Sequence, residues 1–130
     1  MTFVIDASAA AEVLFRTPLG VNALETLGDE ALVAPELIDA EVLAFIRRKT
    51  LQGVISAARA REAIDFLGVW PITRLSHRPL LAAAFAMRDN VSAYDALYVA
   101  AAIAVRGEIV TADGPLSRAP IDVTIRNIRN

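Results

Sequence analysis

Residues 92–106, SAYDALYVAAAIAVR, constrain the chain more than any other stretch. They read as a helix apolar on nearly every side, with one carboxylate, Asp95, inside it. A helix hydrophobic all round belongs in the middle of a domain. An acid placed there must be paired, protonated or bound to a cation. The rest of the chain is read as what surrounds Asp95.

Short apolar runs alternate with longer helical stretches along that remainder. Strands are expected over 2–5, 31–34 and 108–111, and over 70–75, where Pro71 pushes the segment toward a sheet edge. A last edge strand is expected over 122–128. A helix over 7–15 is broken by Thr17-Pro18, resumes to Leu27 and is closed by Gly28-Asp29. Pro35 opens a second helix, 36–49, at a position that needs no N–H, and Ser56 caps a third over 57–67. Further helices are expected over 79–88 and, briefly, 115–119. Strands alternating with helices imply an α/β fold whose mostly parallel sheet is covered on both faces.

The length of 130 residues fits one domain, 1–130. Although 55% of the residues are hydrophobic, the most apolar run, 96–105, falls short of the roughly 18 residues of a membrane span. The start MTFVIDAS lacks the basic and long apolar parts of a signal peptide, so a cytoplasmic protein with no membrane partner is expected. Cysteine is absent and His77 is the only histidine, which excludes thiolate zinc sites, cysteine nucleophiles and histidine clusters. A formal net charge of −2 gives no global basic face for nucleic acid, so any such contact must be local. Lys49 is the only lysine; the other cations are arginines, whose planar fork suits phosphate.

In an open parallel sheet, sites form outside the carboxyl ends of the strands. Asp6 and Asp113 fall there. Along the helix over 36–49, at about 100° per residue, Glu41 lies about 40° from Leu37, inside the apolar stripe of Ile38, Val42 and Phe45. Asp39 and Glu36 lie on the opposite side, where charge is expected. Each acid has an ordinary structural use. Asp6 or Ser8 caps a helix, Ser92 and Asp95 fit a capping box, Asp113 before Gly114 makes an Asx turn, and Glu41 pairs with a buried arginine. Four converging carboxylates without His or Cys would instead form the oxygen-only donor set that Mg²⁺ or Mn²⁺ prefers. Ser8 and Thr111 add hydroxyls to it, or serve only as cap and strand residues.

Four pieces, FVIDASA at 3–9, APELIDAEVL at 34–43, RDNVSAYDALYVAAA at 88–102 and IVTADGPL at 109–116, together resemble the PIN-domain family, and within it the VapC-type toxins of bacterial toxin–antitoxin pairs. The resemblance implies a three-layer α/β/α sandwich around a central, mostly parallel sheet of four to five strands. It implies a Mg²⁺-dependent endoribonuclease, with Mn²⁺ as a substitute; hydrolysis of RNA phosphodiesters by in-line attack of a metal-activated water would leave 5′-phosphate and 3′-hydroxyl ends. It also implies homodimerisation and inhibition by a VapB-like antitoxin. Asp6, Glu41, Asp95 and Asp113 would form the catalytic and metal-binding site, with Asp6 and Asp95 as the foremost ligands. Many relatives carry a further acid just after the position of Asp113, where this chain has Gly114, Pro115 and Leu116. Arg16, Arg47, Arg48 and Arg78 are candidates for RNA phosphates, while Trp70 and His77 are read as packing residues. Two other readings stay open: a non-catalytic module of the same fold whose acids only cap, and another acid-site phosphoryl-transfer enzyme.

Overall fold

The computed structural model describes residues 1–129; the final residue of the expected domain, Asn130, lies outside them. Five strands, β1 (Thr2–Ile5), β2 (Ala31–Pro35), β3 (Ile72–Leu75), β4 (Glu108–Thr111) and β5 (Ile125–Asn127), form one parallel sheet in the order β3-β2-β1-β4-β5. Central β1 pairs Val4 with Val33 on one side and with Ile109 on the other. Its residues Phe3, Val4 and Ile5 are all buried, as a strand covered on both faces requires.

The helices between β1 and β3 are α1 (Ala7–Leu14), α2 (Pro18–Leu27), α3 (Leu37–Leu51) and α4 (Ala57–Val69). Between β3 and β4 lie α5 (Leu81–Ala86) and α6 (Ala93–Val105), and α7 (Gly114–Ser117) precedes β5. The chain walks one way from β1 to β3 and returns across the sheet to β4. Right-handed crossovers therefore put α1–α4 on one face and α5–α6 on the other. The observed packing follows this division, with α1 on α2 and α3, and α6 on α5, β1, β2 and β4. The result is the α/β/α sandwich expected from the sequence.

Helix α6 fills the interior as its composition requires. Residues 96–102 are all buried, and the alanines among them let the helix lie close on the sheet. Only its ends reach solvent, at Tyr94 and Ile103. Ser92 Oγ accepts the Asp95 N–H at the start, and Arg106 closes the helix in the left-handed conformation at φ 54°.

Three segments depart from expectation. Pro35 does not open α3; it extends β2 opposite Leu75, and the Glu36 N–H bonds to the Leu75 carbonyl at 2.9 Å. Pairing with β3 keeps the backbone extended for one more residue, and the first free N–H of α3, at Leu37, donates to His77 Nε2 at 2.9 Å. His77 is thus the cap of α3 rather than only a packing residue. Segment 79–88 divides into a 3₁₀ turn, Arg78–Leu80, and the short α5. The last strand shrinks to β5, whose neighbouring residue Thr124 still accepts the Ile109 N–H at 3.0 Å. Trp70 is buried and meets Phe66 edge-on at 5.5 Å, as a packing residue should. The edge strand β3, weakened by Pro71, is tied down by Arg74. This side chain donates to both carboxylate oxygens of Asp39 on α3 and to the Leu67, Trp70 and Ile72 carbonyls. Among the described residues no helix is long and apolar enough to cross a membrane.

Two glycines in the α1–α4 layer give opposite expectations. A Cβ on Gly20 of α2 would sit 2.1 Å from the Glu12 carbonyl of α1, so Gly20→Ala must push these helices apart. We expect it to lose about 1–3 kcal/mol in urea unfolding. Gly68→Ala meets nothing within 4 Å and should gain about 0.5 kcal/mol through the unfolded chain. Equal effects of the two substitutions would contradict the α1–α2 packing.

Candidate active site

The strand order reverses between β1 and β4, and in open α/β sheets the crevice at that switch point, beyond the carboxyl ends of the strands, is where ligands bind. Asp6 follows β1 directly, and Asp113 follows β4 with Ala112 between. Glu41 reaches the same region from the second turn of α3, and Asp95 from the first turn of α6. The four acids act on one another in sequence. The charge of Asp113 raises the pKa of both Asp6 and Asp95, and the charge of Asp95 raises that of Glu41.

Asp6 is the most constrained of them, at 5% exposure. Its Oδ1 accepts the Ala9 N–H at 2.9 Å, capping α1, and the Ser8 hydroxyl at 2.7 Å. Its Oδ2 accepts the hydroxyl of Thr111, which is fully buried. The same two hydroxyls hold the loop after β4, because Ser8 Oγ accepts the Ala112 N–H and Thr111 Oγ1 accepts the Asp113 N–H, each at 2.9 Å. Burial pushes the Asp6 carboxyl up to about 6; the bonds from Thr111, Ala9 and Ser8 counter that only in part.

Glu41 and Asp95 are half-buried and their pKa values are raised too, in both cases first by desolvation. Glu41 Oε1 accepts the Tyr98 hydroxyl at 2.7 Å, not a buried arginine as the ordinary reading of this glutamate has it. The phenol is pushed far above its usual range by burial, then by its bond to Glu41 and the charges of Glu41, Asp6 and Asp95, so it stays a donor. Asp113 Oδ1 accepts the Leu116 N–H at 3.1 Å and caps α7. The structure brings the four acids within electrostatic reach of one another in pairs, and gives Asp6 and Asp113 capping roles. Ser8 and Thr111 belong to the same network. Arg16, Arg47, Arg48 and Arg78 are all exposed, and Arg48 lies 5.7 Å from the Phe45 ring centre. Tyr98 went unnoticed in the sequence. Its signal was a polar tip three residues after Asp95, hence on the same face of an otherwise apolar helix.

Hard oxygen donors crowded at a switch point fit a divalent cation by chemistry. Among the described residues, however, no three of them are placed so as to share one ion. The PIN domain family model matches residues 3–121. The chain belongs to the PIN-domain family. Its relatives include Ribonuclease VapC1 of Mycobacterium tuberculosis, 39% identical over 90% of each chain. Ribonuclease VapC3 of the same organism is 37% identical over 89% of this chain and 85% of its own. The fold is shared with a chain of the Rickettsia felis VapBC2 structure solved with a promoter DNA fragment, at a TM-score of 0.72, 14% identity and 98% coverage of both chains. A Pyrobaculum aerophilum protein aligns at a TM-score of 0.73 and 19% identity, over 99% of this chain and 85% of that one.

The burial of Asp6 in this PIN domain carries a pH signature. Its folded pKa lies above the unfolded value of 3.8, at about 6. Between those values the folded state holds a proton that the unfolded state has released, so stability falls as pH rises through the window. The loss is complete above it and amounts to about 3 kcal/mol at most. Denaturant unfolding of the metal-free protein at pH 4.5 and 7 should show this drop, and Asp6→Asn, which retains a cap, should show a clearly smaller one, left by the raised Glu41 and Asp95. Identical pH dependence in both proteins would show that Asp6 is not the group responsible.

Proposed function

We propose that the chain is a metal-dependent endoribonuclease, the toxin of a type II toxin–antitoxin pair. The single observation that carries this reading is the convergence, at the switch point, of four carboxylates from four separate elements, one of them almost fully buried. The names of the relatives, ribonucleases of the VapC group, supply the substrate class. Asp6 and Asp95, with Glu41 and Asp113, would hold Mg²⁺ or Mn²⁺. A cation there supplies Lewis acidity, acidifying water and offsetting charge on the phosphodiester.

The residues themselves do the rest. Ser8 and Thr111 fix the Asp6 carboxylate and the Asp113 loop relative to each other. Helix α6, buried in the core over 96–102, presents Asp95. Since no three acids share one point as they stand, at least one of the acids that no side-chain hydroxyl holds, Asp95 or Asp113, must rotate inward to ligate. Exposed arginines such as Arg16, Arg47, Arg48 and Arg78 are available for RNA phosphates on the surface. A VapB-like antitoxin is the proposed partner, on the strength of the relatives and of the VapBC2 structural neighbour. Homodimerisation belongs to the same reading and is read out by light scattering.

A second reading, a non-catalytic module, draws on the capping bonds of Asp6 and Asp113 and on the spread of the acids. Asp95→Asn separates the two. The expected result is a folded variant whose Mg²⁺-dependent RNA cleavage falls by about a hundredfold or more, the scale on which removing one group of an electrostatic site acts. Chelation of the parent should abolish cleavage and added Mg²⁺ should restore it, with 5′-phosphate and 3′-hydroxyl ends on the products. Undiminished cleavage by Asp95→Asn, or cleavage indifferent to chelator, contradicts the proposal.

A further inference from the structure

We infer that Tyr98 is a positioning residue of this site: its phenol, fixed in the core on α6, donates to Glu41 Oε1 and holds that carboxylate in the acid crevice. The inference rests on the reading of Glu41 as a ligand given above. Tyr98 is 2% exposed and its hydroxyl makes one hydrogen bond among the described residues, to Glu41 at 2.7 Å. Had packing alone been needed, phenylalanine would fill nearly the same volume without burying a hydroxyl that demands a partner. A half-buried glutamate side chain has several rotatable bonds, and among the described residues Glu41 has no other side-chain hydrogen bond to select one rotamer. The tyrosine supplies that selection.

The geometry also explains why one helix governs two of the acids. Asp95 and Tyr98, three residues apart, lie on one face of α6. The first offers its own carboxylate, and the second, a turn deeper, reaches across to α3 and secures the carboxylate of Glu41. Oε1 is engaged by the phenol, which leaves Oε2 as the oxygen free to face a cation. In this arrangement Tyr98 touches neither substrate nor ion and acts through Glu41 alone.

Tyr98→Phe and Glu41→Gln, singly and together, test this with two readouts: Mn²⁺ affinity of the RNA-free protein, by electron paramagnetic resonance, and steady-state cleavage. Removal of a partner that orients a metal ligand commonly weakens binding or activity by about 10–100-fold. A fall in that range is expected for Mn²⁺ affinity and for kcat in folded Tyr98→Phe, with KM for RNA little changed. In the Glu41→Gln background the tyrosine substitution should add nothing, because its effect runs through that residue. Glu41→Asp, which keeps the charge but is too short to reach the phenol, should reproduce the Mn²⁺ loss and serves as the variant if Tyr98→Phe fails to fold. Parent-like Mn²⁺ affinity in Tyr98→Phe or in Glu41→Asp, alongside a weakened Glu41→Gln, overturns the positioning role and leaves the proposed function standing. Losses that multiply in the double variant overturn it as well. Parent-like behaviour of Glu41→Gln removes Glu41 from the site, and with it both the ligand reading of that residue and this inference.

Discussion

A carboxylate buried at the end of the central strand is costly to leave ionised, and the surroundings of Asp6 are arranged around that difficulty. Its two oxygens receive one backbone N–H and two hydroxyls, from Ser8 and Thr111, yet burial still drives its pKa up to about 6. The same hydroxyls accept the N–H groups of Ala112 and Asp113. One network therefore fixes the start of α1, the end of β4 and the loop that carries the second acid. Since β1 and β4 are neighbours at the reversal of strand order, that network sits at the position where open α/β sheets bind their ligands.

Capping and site formation are not competing uses of these residues. Asp6 caps α1, Ser92 caps α6 and Asp113 caps α7, and each helix begins at the rim of the crevice. An N-cap side chain stands at the mouth of its helix by construction. Helices that begin together therefore bring their capping acids, or the acids of their first turns, together. Burial is the largest cause of the raised Asp6, Asp95 and Glu41 pKa values, and a neighbouring charge, that of Asp113 for the first two and of Asp95 for the third, adds to it.

Much of this was legible in the residues. The apolar helix over 92–106, the β-branched strands and the punctuation at Thr17-Pro18, Gly28 and Ser56 gave the order of elements, because each rests on local periodicity or local backbone chemistry. All four acids were legible as misplaced charges. What escaped depends on contacts between distant parts of the chain. Pro35 remains in β2 because β3 pairs with it, and His77 caps α3 across 40 residues of sequence. Arg74 and Asp39 meet only once α3 and β3 are packed. Tyr98 looked like one more core residue of α6, and nothing in the spacing of the acids indicated that its hydroxyl would face Glu41. Whether acids share one ion is likewise a matter of side-chain rotation, which spacing does not encode.

The central claim is that the acids at the switch point bind a divalent cation. Anomalous diffraction from crystals grown with Mn²⁺ tests it most directly. One strong anomalous peak is expected among these acids, ligated by Asp6 and Asp95, with Glu41 kept on Tyr98 and Asp113 turned inward to complete the shell. A crevice without Mn²⁺ at saturating concentration, with Asp6 and Asp113 engaged only in their capping bonds, would contradict it.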